Sequence, residues 1–198
     1  MNSLNSKQLN QAFSVLSEIL EKIGVPFQIV VCGGSGLIAL GLIERSVTSD
    51  VDIVALIEHN ILIPPVPMPP ELIRAANTVA LALKLPKNWL NNGPSQNEGG
   101  LIQMGLPDGF RHRLIEKDFG DFLKVFFAGR LDQIHFKLWA TVDQGGRHTQ
   151  DLMDLKPNSE EMYAAAKWTL EKDVSKEFKM ELKSCLCSLK YSDVSDRL

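Results

Sequence analysis

Val31-Cys32-Gly33-Gly34-Ser35-Gly36-Leu37-Ile38-Ala39-Leu40-Gly41, closed by Asp50-Val51-Asp52-Ile53, is the stretch on which the fold turns. The apolar, β-branched run Phe27–Cys32 reads as a buried strand that breaks into a glycine turn. Residues 37–43 read as a helix packed on that strand, and residues 51–57 as a second buried strand. In a strand, residues i and i+2 share a face, so the spacing puts Asp50 and Asp52 toward one ligand. Paired carboxylates suit Mg²⁺ (or Mn²⁺), which takes one or two of them together with substrate phosphates. Gly33 and Gly34 let the backbone approach a polyphosphate, and the start of the helix after them favours anions. Ser35 would donate to a phosphate oxygen or cap the helix, since serine is a preferred N-cap.

Outward from this stretch, Leu9, Phe13, Leu16, Leu20 and Ile23 recur at helical spacing and predict a helix over residues 7–23, stopped by Gly24 and Pro26. Strands separated by a helix predict a βαβ-like or mixed sheet with helical cover. Pro64-Pro65-Val66-Pro67-Met68-Pro69-Pro70 matches a PxxP ligand but reads more simply as a stiff connector ending where a helix starts. That helix is expected over residues 71–83. Residues 89–105, rich in glycine and asparagine, read as a loop over a site. Residues 110–117 and 122–127 read as two strands joined at Phe119-Gly120-Asp121.

The remainder reads as helical. Leu131, Ile134, Leu138 and Val142 form one apolar stripe, and further helices are expected over 151–155, from Ser159, and over 175–190. The expectation is one α/β (α+β) domain over residues 1–198, with a core at about 25–128 and a helical part at about 130–190.

Composition narrows the function. The chain has 198 residues, 44% of them hydrophobic, which is enough for a sizeable core. A formal net charge of -3 supplies no global field toward nucleic acid or an acidic membrane. No stretch has the apolar length of a membrane span, and Met1 to Lys7 lack the core of a signal peptide, so a cytoplasmic location is expected. Three cysteines make no disulfide framework, and Cys185 and Cys187, two apart on a predicted helix, do not face each other.

Gly33-Gly34 followed by Arg45-Ser46-Val47-Thr48-Ser49-Asp50-Val51-Asp52-Ile53 resembles the signature of the polymerase-β-type nucleotidyltransferase superfamily. It looks most like the bacterial minimal and toxin-type nucleotidyltransferases, in which Gly-Gly, a short helix and Arg-x-Thr-x-Asp-hydrophobic-Asp recur. Here two residues rather than one separate Arg45 from Thr48. Lys137-Leu138-Trp139-Ala140, Arg147-His148, Asp151-Leu152-Met153-Asp154-Leu155 and Pro157 to Trp168 follow the second block of these families. Trp89-Leu90-Asn91 and Leu106-Pro107-Asp108-Gly109 are similar to stretches of uncharacterised bacterial nucleotidyltransferase-like proteins. The resemblance spans about residues 25–172.

The resemblance implies a nucleotidyltransferase fold with a small mixed sheet. It also implies Mg²⁺-dependent transfer of a nucleotidyl group from a nucleoside triphosphate to a hydroxyl of RNA, protein or a small molecule. Asp50 and Asp52 would hold the metal, and Gly33, Gly34 and Ser35 would cradle the phosphates. Arg45 would contact phosphate or anchor the Asp50 loop. Members of this kind also occur in toxin–antitoxin pairs, which would make the cognate protein a partner.

A third carboxylate usually completes such a site. Glu116 is the one acid within the expected strand 110–117, and Asp118 and Asp121 fall in the turn. In the toxin-type families a lysine and a later aspartate serve instead, and Lys137 and Asp151 match them. The same residues read otherwise as a snorkelling lysine at the edge of the apolar stripe and an i,i+4 partner of Arg147. His59, His112, His135 and His148 lack metal-ligand spacing. Arg111, His112, Arg113 and Lys117 could meet a phosphate backbone, but strand alternation would split them between two faces. The alternative reading is a catalytically degenerate nucleotide-binding or protein-interaction module of the same fold.

Overall fold

A buried strand followed by an acidic one needs a sheet to belong to, and that sheet organises the first part of the chain. The computed structural model describes residues 3–96 and 99–198. Met1 and Asn2 of the N-terminal stretch, and Asn97 and Glu98 of the expected loop, lie outside the described residues. The chain divides into two compact units, Met1–Gly129 and Arg130–Leu198.

The first unit runs α1 (Ser6–Ile23), β1 (Phe27–Cys32), α2 (Gly33–Ala39), β2 (Val51–Glu58), β3 (Ile61–Ile63), α3 (Pro70–Leu83), β4 (Leu90–Asn91), α4 (Leu101–Met104), β5 (Ile115–Asp118) and β6 (Leu123–Phe127). The main path of the sheet is β3-β2-β1-β6-β5, with β4 paired to β2 off that path. It is mixed. β1 is antiparallel to β2 and parallel to β6, while β4 is parallel to β2. The strands flanking α2 therefore form no βαβ crossover. Gly41, at φ 65°, ends the helix region in a left-handed turn and the chain doubles back.

One face of the sheet carries Ile29, Val31, Val51, Ile53, Leu123 and Val125 into a core shared with α1 and α3. The α1 face buries Leu9, Ala12, Phe13, Leu16 and Leu20, the spacing of a single helical stripe. Asn5 caps it with a capping box to Gln8, and Gly24 closes it at φ 77°. α3 begins on Pro70, whose fixed φ suits a first helical position, so the proline run does end as a connector. Pro65 is buried there, and its carbonyl accepts from Asn92 Nδ2 at 2.7 Å.

Three expectations change. α2 starts at Gly33 and ends at Ala39 rather than spanning 37–43, so Ser35 sits in its first turn and Cys32 is the N-cap residue. Residues 89–105 are not one loop. Trp89 is fully buried against Phe13, β4 extends the sheet, and a 3-10 turn (Gly93–Ser95) and α4 follow. Residues 110–113 form a 3-10 turn, not the start of a strand. Alternation therefore does not distribute Arg111, His112 and Arg113.

β2 carries an irregularity that packing has to absorb. Its register with β1 steps from Val30↔Ala55 to Val31↔Ile53, leaving Val54 as an extra residue. The Val54 carbonyl accepts from the fully buried Ser95 Oγ at 2.6 Å. A buried acceptor without a donor costs about 1–3 kcal/mol.

The second unit is helical throughout: α5 (Arg130–Gln144), α6 (Arg147–Asp154), α7 (Ser159–Lys172), α8 (Lys176–Ser188) and α9 (Ser192–Asp196). Gly145 and Gly146, both at positive φ, separate α5 from α6. Asn158 and Glu161 make a capping box at α7, and Ser175 caps α8. Arg130 donates to the Leu155 carbonyl at 2.7 Å and pairs with Glu161 at 2.5 Å, so the start of α5 is bound to the α6–α7 turn. Ile134, Leu138, Leu152, Met162, Ala165, Leu182, Leu186 and Val194 are among its fully buried apolar residues. Among the described residues, no helix is long and apolar enough to cross a membrane.

Ser95→Ala tests the bulge. Chemical unfolding should show a loss of about 1–3 kcal/mol, the cost of leaving the Val54 carbonyl unsatisfied.

Candidate functional site

The site begins where β1 ends. Cys32 is the last residue of β1 and stands opposite Asp52 in the antiparallel register. Gly33 follows at φ 68°, in the left-handed region. A β-carbon at Gly33 would lie 2.7 Å from Asp52 Oδ2, so the carboxylate occupies the space a side chain would need. A β-carbon at Gly34 would meet Arg45 Nη2 at 2.8 Å and Thr48 Oγ1 at 3.0 Å. Both glycines thus lie in close approach to side chains, one to an acid and one to a guanidinium and a hydroxyl, and at Gly33 the positive φ adds a torsional demand.

Asp50 lies just before β2 and Asp52 is its second residue; both are half-buried, while Val51 and Ile53 between and after them are fully buried. This is the alternation expected of a strand that packs one face and offers the other. Ser49 Oγ donates to Asp50 Oδ1 at 3.0 Å, and Thr48 Oγ1 donates to the Asp50 carbonyl at 3.3 Å. Arg45 Nη1 donates to the Val47 carbonyl at 3.1 Å. Ser35 is buried, and its hydroxyl donates to the Cys32 carbonyl at 3.4 Å. It is not the cap of its helix. With α2 only seven residues long, its dipole is weak, and close approach to the glycine backbone would favour an anion more than the dipole would.

Three residues to which the sequence assigned no role belong to this neighbourhood. Asn91 is the register partner of Asp52 on the side away from Cys32. Its Nδ2 donates to the Val51 carbonyl at 3.4 Å and its Oδ1 accepts from Gly93 at 2.8 Å. Thr48 is buried and bridges to Leu4, which is fully buried. The signal for Asn91 lay in the Trp89-Leu90-Asn91 run, where a buried tryptophan and leucine carry a polar residue to the sheet. Nothing in the local pattern pointed to Leu4.

Among the described residues, no third carboxylate joins the pair. Glu116 is on β5, three strand spacings from β2, a distance of ~14 Å. It pairs with Lys124 at 3.1 Å, and this exposed carboxylate is the main reason the Lys124 ammonium titrates above its ordinary value. Asp118 and Asp121 lie at the β5–β6 turn, by the start of β1, whereas Asp52 is by its end. Asp118 Oδ1 accepts from Gly120 there at 2.8 Å. Among the described residues, no group of three or more His, Cys, Asp and Glu comes together. Two half-buried carboxylates do not make an all-protein cage for zinc or calcium. They do fit a cation such as Mg²⁺ that draws its remaining ligands from substrate oxygens and water.

Lys137 and Asp151 belong to the second unit. Lys137 is buried rather than snorkelling at the edge of a stripe, and its Nζ donates to Asp151 Oδ2 at 2.7 Å with 6% and 2% of the two side chains exposed. The partner expected for Asp151 was Arg147, one turn earlier on its own helix; the ion pair formed is with Lys137. Thr141 Oγ1 donates to the Lys137 carbonyl at 2.7 Å. Nδ1 of the half-buried His148 has no hydrogen-bond partner among the described residues. Burial, followed by the positive charges of Lys137 and Arg147, holds His148 below its ordinary value of 6.5.

Comparison with protein-family models, curated proteins and solved structures found no match to this chain.

The buried pair makes a cycle. Lys137→Met should cost about 3–5 kcal/mol in urea unfolding by leaving Asp151 uncompensated, and Lys137→Met with Asp151→Leu should recover most of it. For His148 the unfolded chain takes up a proton before the folded one as the pH falls. Its contribution is present above pH ~6.5 and lost as the pH drops through the folded value. Unfolding free energies of the wild type should therefore fall more steeply on acidification than those of His148→Phe.

Proposed function

We propose that the first unit binds a nucleoside triphosphate with Mg²⁺ (or Mn²⁺) and that the protein is a nucleotidyltransferase, with the nucleotidyltransferase fold. The single observation that carries the reading is the placement of Asp52 Oδ2 over Gly33, at the end of β1. An acidic strand end and a side-chain-free turn are thereby adjacent. A polyphosphate approaching Gly33 and Gly34 would meet the Asp52 carboxylate beside the first and the Arg45 guanidinium beside the second. Asp50 and Asp52 would hold the cation. When bound, it would neutralise the phosphates and align a hydroxyl for in-line displacement of pyrophosphate. The chain's own residues would supply position: the glycines by close backbone approach, Arg45 by charge, and Ser49 and Thr48 by holding Asp50.

The chain's resemblance to minimal and toxin-type nucleotidyltransferases supports the same reading and leaves RNA, protein or a small molecule as the acceptor. Partnership with a cognate antitoxin or toxin follows from that resemblance alone. Lys137 and Asp151, which the resemblance matches to catalytic positions of the toxin type, form the buried ion pair of the second unit.

A second reading has an observation of its own. The lack of a third acid beside Asp50 and Asp52 among the described residues favours a binding module without turnover. The two separate in one experiment. With triphosphates labelled at the α-phosphate, the enzyme should transfer label only with Mg²⁺ or Mn²⁺, and Asp50→Asn with Asp52→Asn should lower transfer by at least about a hundredfold. Label transfer that survives the double substitution refutes the assignment. Calorimetric binding of Mg²⁺ and triphosphate with no pyrophosphate released establishes the module.

A further inference from the structure

Asp50 is not in a strand, so something else has to hold it. The chain leaves α2 at Ala39 and returns to β2 at Val51 through residues 40–50. In that return Thr48 makes a two-way backbone bridge with Leu4: Leu4 N–H donates to the Thr48 carbonyl at 2.7 Å, and Thr48 N–H donates to the Leu4 carbonyl at 2.9 Å. Leu4 is itself immobilised twice. Its side chain is fully buried in the core beneath the sheet, and the next residue, Asn5, is locked to Gln8 by two hydrogen bonds of 2.9 Å. From Thr48 the connection continues, since Thr48 Oγ1 donates to the Asp50 carbonyl and stands against the open face of Gly34.

We infer that Leu4, ahead of the first helix, is a positioning residue for Asp50, acting through Thr48. The inference rests on the reading of Asp50 as a metal ligand. A carboxylate on an unpaired return would sample many orientations, and holding it would otherwise fall to the cation. The bridge places that ordering in the folded chain before any ligand arrives. A segment at the opposite end of α1 from the β1 connection thereby becomes part of the carboxylate site without touching substrate.

The test substitutes each link separately. Leu4→Pro deletes the N–H that reaches Thr48, whereas Leu4→Met keeps both backbone groups and much the same volume. Thr48→Val deletes the hydroxyl, and Thr48→Ser keeps it. Mn²⁺ binding is followed by electron paramagnetic resonance with the α,β-imido analogues of the four ribonucleoside triphosphates, whose α,β bridge resists displacement. Amide hydrogen exchange is followed over residues 44–51 and 53–57 without ligand. Leu4→Pro and Thr48→Val should each weaken Mn²⁺ binding about five- to tenfold, the worth of one hydrogen bond. Leu4→Met and Thr48→Ser should bind as the wild type does. Exchange in Leu4→Pro should quicken over residues 44–51 and not over 53–57. Should Leu4→Pro fail to fold, Leu4→Ala, which keeps both backbone groups but removes the buried side chain that anchors them, takes its place with the same weakening expected and the same exchange readout. Wild-type Mn²⁺ affinity in these variants overturns the inference and leaves the metal reading standing. A wild-type protein that takes up no Mn²⁺ overturns the metal reading of Asp50, and the inference with it.

Discussion

A β-carbon at position 33 would lie 2.7 Å from Asp52 Oδ2, so any L-residue there would displace that carboxylate. The backbone there is also left-handed, at φ 68°, which a side chain would resist independently. Two unrelated constraints, steric and torsional, therefore favour the same glycine. The antiparallel register of Cys32 with Asp52 fixes the height of the acid, and the register of Asp52 with Asn91 closes its other side. Core packing sets the orientation, since Val51 and Ile53 can be buried only if Asp52 faces away from them.

The second unit handles charge differently. Lys137 and Asp151 are nearly sealed from water, and such a pair gains little net stability because desolvation offsets most of the attraction. Its strength is conditional on both members being present. Arg130 and Glu161 are a more exposed counterpart. The Arg130 guanidinium, hydrogen bonded to Glu161, holds that carboxyl below its usual range, with the Asn158 backbone adding to the effect. Arg130 also satisfies carbonyls at Leu155 and Lys156, so its contribution is as much to closing the α6–α7 turn as to ion pairing.

The elements legible in the sequence were those whose own residues set their burial. The Leu9, Phe13, Leu16, Leu20 stripe gave α1, the proline-to-leucine stretch gave α3, and β-branched runs gave β1 and β2. The half-burial of Asp52 between buried Val51 and Ile53 was readable because alternation is a local rule, whereas Asp50 lies ahead of the strand. What escaped was set by distant partners. β4 is two residues long and exists because Val51 and Asp52 offer an open edge. Residues 110–113 have strand-like composition but follow Gly109, at φ 72°, into a 3-10 turn. Lys137 looked like a stripe-edge lysine because its partner, Asp151, is fourteen residues away on another helix. Leu4 gave no sign at all, since an isolated bridge leaves no periodic trace.

The extra residue at Val54 divides β2 into two phases. Before it, Val51 and Ile53 point to the core; after it, Leu56 does, so odd and even positions exchange roles partway along one strand. The acidic end and the hairpin end, with its His59-Asn60 turn at positive φ, are therefore out of step by a residue. A deletion at Val54 would bring the two ends into a common phase and rotate one of them out of its environment. Descendants of this chain can accordingly reshape the hairpin without disturbing the carboxylates, provided the dislocation between them is inherited intact.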